Sequence, residues 1–259
     1  MPNIYTFSMT EILAFALVLL RMAGFVFAMP IFGSNMVPAP VKILFALALT
    51  FVLFPQIGWR KLSFDVDSVM IITLAVKELF VGLVLGFLAR IFFFAVSMAG
   101  EIMSVSLGLS EAQLFDTTMG GSMSSFDQFF VILASIFFLA INGHELLIAG
   151  IFQSYSIVPL SKVGLALTPF GSFGIIIETV MLIAVKMSAP ILVSILFLNL
   201  AVAVVGRAVP QINILITSLP LNILAGFIVL FVTLPLLLWE MHGLSNLTAI
   251  ELIRFVKAL

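Results

Sequence analysis

The sequence predicts an all-α integral membrane protein. Of its 259 residues, 63% are hydrophobic and 9% are charged, against about 25% charged in a soluble domain. A soluble fold of this size keeps a polar shell that such a composition cannot supply. The apolar residues gather in six runs of helical length. They lack the alternating ten-residue pattern of an outer-membrane barrel. The net charge of −1 gives no reason to expect a nucleic-acid partner. The absence of Cys excludes disulfides and cysteine-based metal or redox motifs.

The opening "MPNIYTFSMTE" has no basic stretch, so it is not expected to be a cleavable signal peptide. The six runs then follow in order. They cover 12–32 with Arg21 inside, 41–57 bracketed by Pro40 and Pro55, and 69–103. Next come 126–153, interrupted by "NGHE", then 173–205 with Pro190 inside, and 221–241. The tail 242–259 contains "SNLTAIELIRFVKAL" and reads as a short amphipathic helix. The whole is expected to form one domain, 1–259. With both ends cytoplasmic, Arg60, Lys61, Lys162, Arg254 and Lys257 fall inside, and only Lys42 and Arg207 outside. "PVKILFALALTFVLFP" and "PLNILAGFIVLFVTLP" are weakly alike, as in a parallel duplication.

The third and fifth runs are each about 50 Å long as straight helices. A hydrocarbon core is only about 30 Å thick. Either they tilt or kink, as Pro190 would allow, or they lie against other protein partly outside the lipid. The third run also carries a polar stripe. Glu78, Gly82, Gly86 and Arg90 are spaced by four, with Ser97, Glu101 and Ser104 on the same side. Such a stripe is either a helix-packing seam or one wall of a polar conduit. Lys77 and Glu78 are neighbours that do not share a face, so each is expected to find its partner elsewhere.

Three polar segments interrupt the apolar pattern. Asn142, Gly143 and His144 read as a helix break or cap, or else as a proton-relay site. The segment 206–226, with Gly206, Arg207, Pro210, Gln211, Asn213 and Pro220, reads as a reentrant turn on partner subunits or a plain loop. The segment 104–125 is "SVSLGLSEAQLFDTTMGGSMSS", Gly-rich and dotted with Met. No catalytic pattern appears. Ser122 has no G-x-S-x-G elbow, His242 lies past the end of its run, and "GGSMSS" lacks the Lys of a phosphate loop. The chain is expected to be neither an enzyme nor a cofactor binder.

Five motifs in order, "VPAPVKI", "VKELFVGLVLGFLAR", "AGEIMSVSLGLS", "NGHELLI" and "GRAVPQINILITSLP", resemble the FliR family of flagellar biosynthetic membrane proteins and its injectisome relatives in type III secretion. The resemblance covers nearly the whole chain. It implies a subunit of long kinked helices and helical hairpins, packed into a hetero-oligomeric export gate with FliP-type and FliQ-type subunits. FlhB and FlhA would lie alongside, with unfolded flagellar proteins in transit. The implied place is the inner membrane at the flagellar basal body, partly raised toward the periplasm. Two departures stand out: Asp116 is followed by Thr117 where the family has Pro, and Asn142 stands where the family has Asp.

The resemblance also implies that residues 106–124 plug the pore. Flexible Met side chains seal irregular gaps. Met119 and Met123, with Leu114 and Phe115, are expected to form the seal. Gly108, Gly120 and Gly121 would let the backbone rearrange. Glu111 and Asp116 would sit at the wetter edges, and no Lys or Arg occurs across 91–161 to be trapped. Two other functions compete. One is an injectisome gate subunit. The other is an ion-coupled secondary transporter using Lys77, Glu78, Arg90, Glu101, Glu178 and Lys186, although no inverted repeat supports it.

Overall fold

The structure, a computed structural model, describes residues 8–30, 37–57, 68–109, 125–160, 173–208 and 214–258. Seven α-helices account for nearly all of these, and no strand occurs among them. Helix α1 is Met9–Ala28 and α2 is Ala39–Leu53, extended by a 3-10 turn, Phe54–Gln56. Helix α3 is Ser68–Ser106, α4 is Ser125–Ala140 and α5 is Gly143–Ile157. Helix α6 is Phe173–Ala208 and α7 is Ile214–Ala258. Five helices are long and apolar enough to cross a membrane, or six spans if the broken pair α4 and α5 makes one.

Local chemistry sets the helix ends. Helix α1 opens with a capping box: the Glu11 N–H donates to Ser8 Oγ and the Ser8 N–H donates to a Glu11 carboxylate oxygen. Helix α2 opens at Pro38, with Pro40 in its first turn, where a missing N–H costs nothing. Just past the end of α3 stands Gly108, whose φ of 78° favours a residue without a Cβ. Between α4 and α5 the chain breaks at Asn142, with φ 56° and ψ 31°. Asn tolerates that left-handed conformation better than any branched residue would.

The C-terminal third differs from expectation. The segment 206–226 is not a reentrant turn across its length. Gly206 and Arg207 close the last turn of α6, and residues from 214 onward, Pro220 included, are helical. Pro210, Gln211 and Asn213 lie outside the described residues. The tail 242–259 is not a separate helix either. Residues to Ala258 continue α7, which is 45 residues long. Pro220 sits near the helix start and forfeits one hydrogen bond, to the Ile216 carbonyl. Gly243 alone costs about 1 kcal/mol, too little to stop a helix flanked by good formers.

The contacts of the chain cluster into two compact units. The first is Met1–Ile91, Asn142–Phe173 and Leu247–Leu259. Its core includes Val18, Phe25, Val81, Leu85, Ile151 and Leu252. Phe15 of α1 meets Phe51 and Phe54 at ring separations of 5.2 and 5.4 Å. The second unit is Phe92–Ile141 and Gly174–Asn246. Phe92 and Phe93 of α3 hold Phe138 of α4, each at 5.4 Å. The side chain of Leu107 fills the space above Gly226 of α7. Helix α6 is the least covered of the five candidate spans.

Candidate functional site

The first unit contains a charged cluster with no access to solvent. Arg21 stands in the middle of α1 and is 0% exposed, as is Glu78 on α3. Arg21 Nε donates to Glu78 Oε2 at 2.6 Å. Its Nη1 donates to Ser154 Oγ, and its Nη2 to the Val158 carbonyl, both at 3.0 Å. The guanidinium lies over the Tyr155 ring, 4.1 Å from its centroid. Tyr155 in turn reaches the Val18 carbonyl at 3.4 Å, the long end of a hydrogen bond. Lys77 Nζ approaches Glu78 Oε1 to 2.8 Å and donates to the Pro159 carbonyl at 3.0 Å.

Two cations and one carboxylate leave a formal surplus of one positive charge in the core. The carbonyls of Val158 and Pro159 answer it. They lie just past α5, at the helix end where carbonyls lack helical partners and the macrodipole is negative. One N–H of each cation therefore points at a carbonyl, which makes burial tolerable. The cluster ties α1, α3 and the end of α5 together through hydrogen bonds.

Glu78 and Lys77 each find a partner elsewhere as expected, in Arg21 and the Pro159 carbonyl, but the reading that they do not pair with each other needs correction, because the two do form an ion pair. Adjacent residues do not share a face when both side chains lie along the helix surface. Here both are buried, and the long Lys arm bends back to the carboxylate while a second N–H goes to the Pro159 carbonyl. Arg21 was visible as the one charge in its run. Ser154, Tyr155 and the two carbonyls were not, because no motif marks a helix terminus as a counter-charge.

Glu78, Gly82 and Gly86 share a seam with α1 of the same chain. A Cβ on Gly82 would land on the Arg21 carbonyl oxygen. One on Gly86 would stand 2.5 Å from Ala28 Cβ and 2.7 Å from the Phe25 oxygen. From the other side, a Cβ on Gly24 would meet the Leu79 oxygen at 2.8 Å. Arg90 and Glu101 do not join this seam. Arg90 is half-buried, with no hydrogen bond or ion pair among the described residues, and Glu101 is exposed in the second unit.

The remaining sequence candidates are scattered. Asn142 opens α5 without a side-chain cap, and its carbonyl accepts from the Glu145 N–H at 3.0 Å. His144, in the first turn, keeps Nδ1 buried without a hydrogen-bond partner among the described residues. Gly108 packs on Leu219, whose Cδ2 would lie 2.6 Å from an added Cβ. Leu114, Phe115, Met119, Gly120, Gly121 and Met123, with Glu111 and Asp116, lie outside the described residues. No group of three His, Asp or Glu side chains among the described residues could hold a metal ion.

A polytopic all-helical membrane protein, with an ion cluster inside its helix bundle and helices longer than a bilayer is thick, is the class these features define. Its sequence matches the family described as bacterial export proteins, family 1, over residues 12–247. It is 34% identical over 252 residues to the flagellar biosynthetic protein FliR of Bacillus subtilis (strain 168), covering 95% of each chain. It is 32% identical to FliR of Aquifex aeolicus (strain VF5), over 84% of this chain and 83% of that one. It is 30% identical to FliR of Escherichia coli (strain K12), over 85% and 83%. The chain belongs to this family of bacterial export proteins and is a membrane-embedded component of the flagellar export apparatus.

Proposed function

We propose that the chain is a structural, pore-forming subunit of the flagellar type III export gate. It assembles with FliP-type and FliQ-type subunits beside FlhB and FlhA, in the inner membrane at the basal body and partly raised toward the periplasm. Unfolded flagellar proteins pass through the assembly, and residues 106–124 plug it at rest. No chemical step falls to this chain. The energy for transport comes from the proton motive force or from partner proteins.

The observation that carries this reading is the mismatch between helix length and bilayer. Helices α3, α6 and α7 hold 39, 36 and 45 residues, or ~58, ~54 and ~68 Å at 1.5 Å per residue. Each exceeds the ~30 Å hydrocarbon core. Along α6 the exposed apolar residues run from Ile175 to Val205. Lipid covers part of that length, and the rest needs protein. A carrier finds less support, because Lys77 and Glu78 are already engaged with each other and with Arg21.

The first test is the native mass of the tagged chain, extracted gently after co-expression with its neighbouring genes. A large particle with one copy of this chain and several copies of two other small membrane proteins is expected. A stable monomer or homodimer would sink the gate reading. The plug has its own test in membrane conductance. Cells expressing a chain deleted for 110–120 should leak ions, and an unchanged leak would remove the plug role while leaving the assembly intact.

A further inference from the structure

Helices α6 and α7 border an apolar groove of about 640 Å³ in the second unit. Its lining includes Lys186, Pro190 and Val193 from α6, and Val229, Val232 and Leu236 from α7. Two hydroxyls also line it, and both are spent on their own helices. Ser194 donates to the Pro190 carbonyl and Thr233 to the Val229 carbonyl, each at 2.8 Å. Lys186 is thus the one side chain offering a polar group to an occupant. It is exposed and forms no hydrogen bond or ion pair among the described residues. Glu240, one turn beyond Leu236, is half-buried and makes no ion pair with it.

The sequence sets the depth of Lys186. Between Lys186 and Arg207 lie the twenty uncharged residues 187–206, "MSAPILVSILFLNLAVAVVG". They span ~30 Å as a helix, the thickness of a hydrocarbon core. Lys186 therefore stands at the boundary where a basic side chain reaches the headgroups. Trp239 marks the same level independently. It follows Leu236 by three residues, is 69% exposed, and is of the residue type enriched at that boundary. Ala189 and Ser194 are small, but most of the wall is branched (Val193, Ile228, Val229, Val232 and Leu236), and the lining has no Gly of the kind that lets a second helix approach closely.

We propose that this groove is a binding site for an anionic phospholipid. One acyl chain lies between α6 and α7, and the headgroup phosphate pairs with Lys186. The site is independent of the gate reading, since it needs only α6, α7 and a bilayer.

Trp239 supplies the probe. In a Trp59→Phe background it is the chain's one Trp, since the sequence holds two. The purified full-length chain is reconstituted in phosphatidylcholine vesicles containing either phosphatidylglycerol or phosphatidylcholine with brominated acyl chains. Brominated phosphatidylglycerol is expected to reach half-maximal quenching at about fivefold lower mole fraction. That corresponds to about 1 kcal/mol for one basic residue near the membrane surface. In Lys186→Gln the two lipids should quench alike, with the emission maximum of Trp239 unchanged, which shows that the fold is retained. Equal quenching in the parent chain would overturn the proposal. So would a phosphatidylglycerol preference that survives Lys186→Gln. Absence of quenching by either lipid would mean that protein covers the groove, and would overturn it too.

Discussion

Glu78→Ala is expected to cost about 3–5 kcal/mol, the range for breaking a buried ion pair by removing one partner. The cluster's charge makes the prediction sharper. Arg21, Lys77 and Glu78 together carry one net positive charge, balanced by the Val158 and Pro159 carbonyls. Removing the carboxylate leaves two cations facing each other in a space closed to water. Arg21→Met removes the surplus instead and leaves Lys77 paired with Glu78. Ser154 keeps its bond to the Ile151 carbonyl at 2.6 Å. Arg21→Met should therefore be clearly milder than Glu78→Ala. The check is thermal unfolding in detergent, with protease sensitivity of α1 as a second readout. Equal losses in the two variants, or a loss under about 1 kcal/mol for Glu78→Ala, would mean that charge balance does not hold this cluster together.

The helices were legible because apolar length is a strong signal. Every run expected from the sequence contains a helix, and the break expected at Asn142 falls where the left-handed residue stands. Helix orientation about the axis was not legible. A helix that is apolar all round carries no periodic stripe to say which side faces protein. Helix α3 therefore needed its few polar and small residues as landmarks. Four of them at a spacing of four suggested one continuous stripe. The structure divides it: Glu78, Gly82 and Gly86 face α1, Arg90 does not join them, and Ser97, Glu101 and Ser104 belong to the second unit.

The extent of α7 was missed at both ends for a different reason. Pro220 and the polar tail both looked like punctuation, and each is tolerated inside a single helix. Proline stops a helix when other forces also favour stopping; with apolar formers on both sides it leaves one carbonyl unpaired and the helix goes on. The ion cluster was half legible. Its charged members are rare enough in this sequence to be noticed one by one. Their association depends on α5 ending beside α1, and that is a tertiary fact. The carbonyls that complete the cluster belong to every sequence alike, so no residue type could announce them.

Gly82→Ala tests the same seam through sterics rather than charge. A Cβ at Gly82 would meet the carbonyl oxygen, the carbonyl carbon and the Cα of Arg21, all backbone atoms of α1. No rotamer change relieves such a contact, so α1 must move away from α3. Arg21 would move with it and pull on Glu78, one turn back along α3. A loss of about 3 kcal/mol is expected, at the upper end for overpacking a close contact. Gly243→Ala is the matched control. It lies inside α7 with nothing within 4 Å of an added Cβ, so it should gain ~0.5–1 kcal/mol from helix propensity alone. The two substitutions add the same methyl group to the same kind of residue in a helix, and only the distance to a neighbouring backbone differs. Combined with Glu78→Gln, Gly82→Ala should show coupling beyond ~0.5 kcal/mol, as neighbours in one network do. If Gly82→Ala proved as harmless as Gly243→Ala, α1 and α3 would not touch backbone to backbone. The enclosure that keeps water from Arg21 would then have to come from another helix.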